Sequence, residues 1–228
     1  MKNLAIIPAR GGSKRIPGKN IKDFLGKPII AYSIETALES ELFDEVMVST
    51  DNKEIAKIAQ DYGAKVPFMR SDENADDYAT TVDVLLEVLA EYGKRNYDFD
   101  QVCCLYPTAP FVTKDDLKEG FDLLEKATSS LPVVEFEFPV QRAFKKKNEQ
   151  TIQYAWPEHE KTRSQDLEPY FHDAGQWYWI KTEELIKQET LVTSNCKAVE
   201  KSRMAVQDID TPQDWKLAEM KFSNLNSN

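Results

Sequence analysis

The chain has 228 residues, enough for one α/β domain with a full core and a modest excursion. It carries 29 lysine and arginine residues against 39 aspartate and glutamate residues, a net charge of −10 that repels polyphosphate backbones and argues against general DNA or RNA binding. No apolar stretch approaches the roughly 18 residues of a membrane span, and the N-terminal apolar run is too short for a signal peptide. The three cysteines, Cys103, Cys104 and Cys196, make neither a disulfide framework nor a metal-binding CxxC spacing, so a reducing cytoplasm is the expected compartment. Two histidines, His159 and His172, are too few for a histidine-rich metal site.

In chain order, residues 4–9 predict a buried strand. Pro28 suits a first helical position, with Ile30, Ile34, Ala37 and Leu38 on one face of the helix that follows. A second strand is expected at 45–49. A helix lined by Ile55, Ile58 and Ala59 then stops near Gly63. Residues 66–69 read as a third strand, Val82, Leu85, Leu86 and Leu89 as the stripe of a third helix, and 102–105 as a fourth strand. Thr113 can cap a helix carrying Leu117, Phe121 and Leu124. This alternation implies a mainly parallel sheet covered on both faces, with the site at the carboxyl ends of the strands. The loops after Ala9, Thr50, Met69 and Leu105 are therefore expected to face it. Beyond Ser130 the pattern changes. Residues 132–138 predict a strand, 141–162 a polar, lysine- and aromatic-rich hairpin or arm, and 176–180 another strand. Thr211-Pro212-Gln213-Asp214 then opens a last helix with an N-cap, a first-turn proline and a first-turn acid, ahead of Trp215, Leu217 and Ala218.

Two segments carry chemistry. After the first strand comes Pro8-Ala9-Arg10-Gly11-Gly12-Ser13-Lys14-Arg15-Ile16-Pro17-Gly18-Lys19-Asn20. Glycines let its backbone turn and present N–H groups to an anion, and Arg10, Lys14, Arg15 and Lys19 supply positive charge, which suits a triphosphate. Its spacing fails the P-loop pattern, and GxGxxG is absent. A solvated basic loop is the plainer alternative. The second segment is Asp208-Ile209-Asp210, whose carboxylates share one side of an extended chain and suit Mg²⁺ together with substrate phosphates. The plainer alternative there is a strand end whose Asp210 or Thr211 caps the helix. Asp51 either faces the site or caps the second helix.

The run IIPARGGSKRIPGKNI resembles the signature of the CMP-sialic acid synthetase family of sugar nucleotidyltransferases. Val48-Ser49-Thr50-Asp51, Arg70, Tyr106-Pro107-Thr108-Ala109-Pro110 and Asp208-Ile209-Asp210-Thr211 follow in the family's order. The resemblance implies a Rossmann-like α/β nucleotidyltransferase fold over 1–228, with 141–171 as a dimerisation and sugar-site arm. It implies CTP bound by Ala9, Arg10, Gly11, Ser13, Lys19, Asn20 and Arg70, with Lys19 and Arg10 catalytic. It also implies Mg²⁺ on Asp208 and Asp210, activating the attacking hydroxyl, and a homodimer.

Tyr106 stands where sialic acid enzymes carry glutamine, and residues 163–179 also depart from them. Both features resemble the branch acting on pseudaminic acid, a nine-carbon α-keto acid. The expected reaction is then CMP transfer from CTP to its anomeric hydroxyl, with Tyr106, Gln165, His172, Asp173, Gln176, Trp177 and Tyr178 as sugar contacts. The aromatics of 177–179 also fit an ordinary strand core, and Lys145-Lys146-Lys147 a solvated arm face. Transfer to N-acetylneuraminate, legionaminate or 3-deoxy-octulosonate, or a non-catalytic nucleotide-binding module, are the alternatives. A haloacid-dehalogenase-type phosphatase would need paired aspartates after the first strand, where Arg10 and Gly11 stand.

Overall fold

The computed structural model of the chain describes residues 1–76 and 78–225. In order, its elements are β1 (Asn3–Pro8), β2 (Asp23–Phe24), β3 (Lys27–Pro28), α1 (Ile29–Glu39), β4 (Glu45–Ser49), α2 (Lys53–Asp61), α3 (Thr81–Gly93), β5 (Gln101–Leu105), α4 (Lys114–Leu123) and β6 (Ser129–Glu135). Then come β7 (Phe144–Lys146), β8 (Ile152–Tyr154), β9 (Phe171–Asp173), β10 (Trp177–Lys181), α5 (Thr182–Gln188), β11 (Cys196–Glu200) and α6 (Pro212–Leu225). The central sheet runs β11-β6-β10-β5-β1-β4, with β9 added alongside β6. β4, β1 and β5 are parallel, as are β6 and β11, while β10 and β9 run against their neighbours. The chain leaves β1 for β4 on one side and returns to β5 on the other. The reversal opens a crevice at the carboxyl end of β1, where ligands of such sheets bind.

Period-2 alternation sorts the strands into two cores. Ala5, Ile7, Val46, Val48, Cys103, Leu105, Trp177 and Trp179 face one side, against Ile30, Ile34, Ile55, Ala59 and Leu117 of α1, α2 and α4. Leu4, Ile6, Met47, Val102, Cys104, Tyr178 and Ile180 face the other, against Leu85, Val88 and Tyr92 of α3 and Leu185 of α5. Each central strand is buried on both faces, so each reads as a continuous apolar run. α4 lies so close to β10 that a Cβ on Gly120 would meet Trp177 Cη2 at 2.3 Å.

A third cluster joins Ile16, Phe24, Ile29, Phe111, Ile209, Trp215 and Ala218 beneath α6. It contains one residue of the cationic loop and the isoleucine between the two acids. The same apolar knot therefore fixes both segments.

The structure departs from the sequence expectations in several places. Residues 66–69 form no strand. Only Lys65 bridges to Met47, Pro67 has no N–H to give, and the chain turns back so that Arg70 N donates to Thr50 O at 2.9 Å. β6 begins three residues earlier than predicted, because buried hydroxyls hide its start. Ser130 Oγ donates to Gly120 O at 2.7 Å, and Ser129 Oγ pairs with Thr193 Oγ1 at 2.8 Å. Pro28 stands just outside α1, and Leu38 is exposed. Asn52 caps α2, accepting from Glu54 N and Ile55 N, which leaves Asp51 to accept from Gly11 N at 2.8 Å. β7 and β8 pair only with each other among the described strands, as a projecting hairpin. The excursion ends before Phe171, which belongs to β9 on the main sheet. No described helix is long and apolar enough to cross a membrane.

Candidate active site

A cleft of about 560 Å³ opens at the carboxyl ends of β1 and β5, within the range of small-molecule sites. Its cationic wall comes from the loop after β1, with Arg10, Lys14, Arg15 and Lys19 all lining it. Gly18 makes the turn possible. Its φ of +62° is a region that side chains disfavour, and its carbonyl accepts from Ile21 N and Lys22 N, both at 2.9 Å. That turn directs Lys19 inward. Asn20, buried, donates its amide to Arg10 O at 2.9 Å and ties the two ends of the loop together.

The second wall starts at Arg70, which is 8% exposed. Its guanidinium is fixed by Ser49, through Nε to Oγ at 3.1 Å and Nη2 to the carbonyl at 2.6 Å. Burial lowers its pKa, partly offset by Asp51 and Glu87. The N-terminus of α3 follows. Thr80 and Asp83 form a capping box there, and Thr80 and Thr81 line the cleft. The cap contributes about 1 kcal/mol and aims the positive end of the helix dipole at the cavity. Arg10 Nη1 reaches across to Asp76 O at 2.9 Å.

Asp210, from the far end of the chain, closes the cleft, with Asp208 beside it. Lys19 Nζ donates to Ile209 O at 2.8 Å and lies 3.4 Å from Asp210 Oδ1. Arg15 Nη2 pairs with Asp210 Oδ2 at 3.0 Å. Asp208 keeps solvent contact, yet its carboxyl pKa is raised, first by partial burial and second by repulsion from Asp210, with Lys19 opposing. Ile209 points the other way, into the third core cluster. The pair lies in extended coil rather than a strand, but the predicted alternation holds.

Beside this cleft a second cavity, of about 460 Å³, shares Thr80, Thr81 and Tyr106 with it. Val82, Asp83, Asp173, Tyr178 and residues 189–192 complete its lining. Tyr178 donates to Asp173 Oδ2 at 2.6 Å, and its ring centroid is 5.5 Å from that of Tyr106. The Tyr106 hydroxyl is 3.3 Å from Thr81 Oγ1. Burial is the main reason both phenols are pushed above their ordinary pKa.

Of the residues predicted from sequence, Arg10, Ser13, Lys19, Asn20, Arg70 and Asp210 line the main cleft. Asp208 stands beside it. Tyr106, Asp173 and Tyr178 line the second cavity. Ala9 is buried with its N–H on Ser49 O, and the Gly11 N–H is held by Asp51, so both shape the loop from behind. Four predicted sugar contacts stand elsewhere. Trp177 is fully buried against Gly120 on the opposite face of the sheet from Tyr178. Gln176 is buried and donates to Ala205 O at 2.9 Å. Gln165 lies in the arm, lining a separate hollow with Phe136 and Tyr170. His172 is exposed, edge-on to Phe136.

Asn74, Asp76, Thr80 and Thr81 line the cleft without having been singled out, together with Pro107 and Thr108 of the quoted family motif. The Thr80–Asp83 capping box, readable as T-x-x-D, was the signal for a helix N-terminus there.

Residues 4–220 match the cytidylyltransferase family model. A pseudaminic acid cytidylyltransferase of Campylobacter jejuni is 45% identical over 225 residues, spanning 97% of each chain. A CMP-N,N'-diacetyllegionaminic acid synthase of Legionella pneumophila is 33% identical over 233 residues, spanning 99% of this chain and 98% of that one. Among solved structures, a CMP:2-keto-3-deoxy-manno-octonic acid synthetase complexed with CTP superposes over 99% of this chain and 100% of its own. Its TM-score is 0.72 at 20% identity, a likeness of fold. With a family match along almost its whole length and relatives similar end to end, the chain belongs to the cytidylyltransferase family.

Proposed function

We propose that this chain transfers CMP from CTP to the anomeric hydroxyl of pseudaminic acid, in the cytoplasm, releasing pyrophosphate. The observation that carries the reading is the meeting of Lys19 with Ile209 O and Asp210 in the lining of a cationic cleft, with Asp208 two residues before Asp210. The full-length likeness to pseudaminic acid cytidylyltransferases supports the choice of sugar. In the reaction the anomeric oxygen forms a bond to the α-phosphorus. The bond from that phosphorus to the bridging oxygen breaks, and pyrophosphate leaves with the electron pair. The hydroxyl proton passes to solvent.

Arg10 and Lys19 stabilise charge developing on the phosphoryl oxygens, the kind of preorganised electrostatics on which phosphoryl transfer depends. Ser13, Asn20 and the loop backbone position the triphosphate, and Arg70 fixes the nucleotide from the second wall. Tyr106, Tyr178 and Asp173 offer the adjoining cavity to the sugar acid.

The donor set fits Mg²⁺. Two oxygen-bearing acids face one side of the chain, with Ile209 between them turned into the core. Asp208 and Asp210 would hold the ion together with substrate phosphates. Bound there, it supplies charge neutralisation and eases ionisation of the attacking hydroxyl. The same reading makes the excursion of residues 141–170 a dimerisation arm, supported by the exposure of Phe144, Ile152 and Trp156.

The test is pyrophosphate release with CTP, Mg²⁺ and a panel of pseudaminate, neuraminate, legionaminate and 3-deoxy-octulosonate. Release with pseudaminate, abolished by EDTA and restored by excess Mg²⁺, is expected, with UTP and ATP inert. Release with none of the acids sinks the enzyme, and release with neuraminate alone sinks the sugar. Sedimentation as a monomer at working concentration sinks the arm.

A further inference from the structure

The acid pair sits on a segment with little regular structure of its own. Between β11 and α6 the chain makes one short turn, Arg203–Ala205, and otherwise runs as coil to Thr211. Coil of this kind holds two carboxylates in place only if something fixes its backbone. Lys221 of α6 donates to Arg203 O at 3.0 Å and to Val206 O at 2.8 Å. Gln176, entering β10, donates to Ala205 O at 2.9 Å. Three of four consecutive carbonyls are thus gripped by two side chains from different parts of the fold. Val206 is also buried, in a small cluster with Val134 and Ala174, and Ile209 is buried three residues later. Asp208 therefore spans two fixed points, and Asp210 follows the second.

Lys221 is a costly way to dock a helix. Its hydrogen-bond partners are neutral carbonyls, and burial lowers the pKa of its ammonium group with no acid offsetting the cost. An apolar side chain would pack α6 more cheaply. The ammonium fits a requirement for several donors converging on one turn. Gln176 is a similar case, since its Oε1 is buried without a partner while Nε2 holds the turn.

We infer that Lys221 and Gln176 are positioning residues that clamp the 203–206 turn and thereby set the geometry of Asp208 and Asp210 as a divalent-cation site. The inference rests on the metal role given to that pair above. Neither residue lines the cleft or the second cavity. Both act through backbone carbonyls of the segment that leads into the acids, one step further out than partners bonded to the ligands themselves, whose loss typically weakens metal affinity by about 10–100-fold.

The experiment compares wild type, Lys221→Met, Lys221→Arg and Gln176→Met in three measurements. These are binding of Mn²⁺ to the chain with a non-hydrolysable CTP analogue, followed by electron paramagnetic resonance; the Mg²⁺ concentration for half-maximal pyrophosphate release; and the thermal midpoint. For Lys221→Met both metal constants rise about 10-fold or more, while kcat at saturating Mg²⁺ stays near wild type. Lys221→Arg, which restores donors, returns most of the affinity. Gln176→Met moves the constants the same way by a smaller factor. Wild-type Mn²⁺ affinity in a folded Lys221→Met, whatever its thermal midpoint, overturns the proposal. If Lys221→Met does not fold, Gln176→Met decides on the same criterion. A wild-type chain that turns over without any divalent ion removes the metal site itself, and this proposal with it; a metal-dependent wild type with unaffected variants removes the clamp alone.

Discussion

Two cations reach for the same carboxylate, and replacing each in turn separates distance from burial. Arg15 approaches Asp210 to 3.0 Å with its side chain 67% exposed, whereas Lys19 stands at 3.4 Å and is 20% exposed. Separation alone ranks Arg15 first. At an exposed site, however, water screens the pair to about 1 kcal/mol or less, about fivefold in rate at most. Lys19 is more enclosed and oriented by its bond to Ile209 O at 2.8 Å. In the proposed reaction a donor of this kind faces the developing phosphoryl charge, which is worth about 10²–10³ in rate, or roughly 3–4 kcal/mol. Lys19→Met should therefore lower kcat by about two to three orders of magnitude, and Arg15→Met should cost about fivefold at most. Initial rates of pyrophosphate release with CTP and the sugar acid each varied provide the numbers, and thermal midpoints confirm folding. An Arg15→Met loss equal to or larger than that of Lys19→Met would refute the ranking by burial. A Lys19→Met enzyme keeping more than about a tenth of wild-type kcat would remove Lys19 from the chemistry.

Gly120→Ala gains about 1 kcal/mol of helix propensity but sets a methyl 2.3 Å from the Trp177 ring. Overpacking should win, for a net loss of about 1–2 kcal/mol and a Tm lower by about 2–8 °C. Gly93→Ala, at the exposed end of α3 with nothing within 4 Å, should raise stability by about 0.4–1 kcal/mol; equal signs for the two variants would contradict the packing of α4 on β10. Tyr178→Phe removes the donor to Asp173 and should raise KM for the sugar acid about tenfold, leaving KM for CTP nearly unchanged. Parallel rises in both constants would remove the proposed sugar contact of Tyr178. Burial pushes the thiols of Cys103 and Cys104 well up, and that of half-buried Cys196 also up. A disulfide reagent at pH 8 should slowly modify one thiol per native chain and all three after denaturation, and fast reaction of all three in the native chain would show an open core.

Much of the fold was legible because β1, β4 and β5 are buried on both faces and read as unbroken apolar runs. The helix starts at Thr113 and Thr211 were legible for a local reason. Their caps are closed by Asp116 and Asp214, three residues on. The start of β6 was not, since serines satisfied by tertiary hydrogen bonds look like a loop in one dimension. The cationic loop and the acid pair stood out by charge and spacing, but the residues around the second cavity did not sort themselves. Trp177, Tyr178 and Trp179 alternate as any strand does, and alternation says which residues share a face, never which face is open. With helices on both sides, Trp177 and Trp179 fall under α4 while Tyr178 reaches the cavity. Gln176 and Lys221 carry no local pattern, since each acts on a carbonyl at least 15 residues away.

What brings the cationic loop to the acids, 190 positions along the chain, is apolar. Arg10, Lys14, Arg15 and Lys19 repel one another, Asp208 and Asp210 do the same, and water screens attraction between exposed groups of opposite sign. Ile16 sits among the cations and Ile209 between the acids, and both are buried in the knot made by Phe24, Phe111 and Trp215. Burying two such side chains stabilises the junction by about 3–6 kcal/mol, more than the exposed Arg15–Asp210 pair provides. Packing thus holds the charges at a fixed separation whether or not they are neutralised. In the proposed reaction this matters at the moment of binding. Lys19 would turn from Asp210 to phosphate, Asp208 and Asp210 would hold a divalent ion, and neither change would have to drag the backbone along, because Ile16 and Ile209 keep it in place.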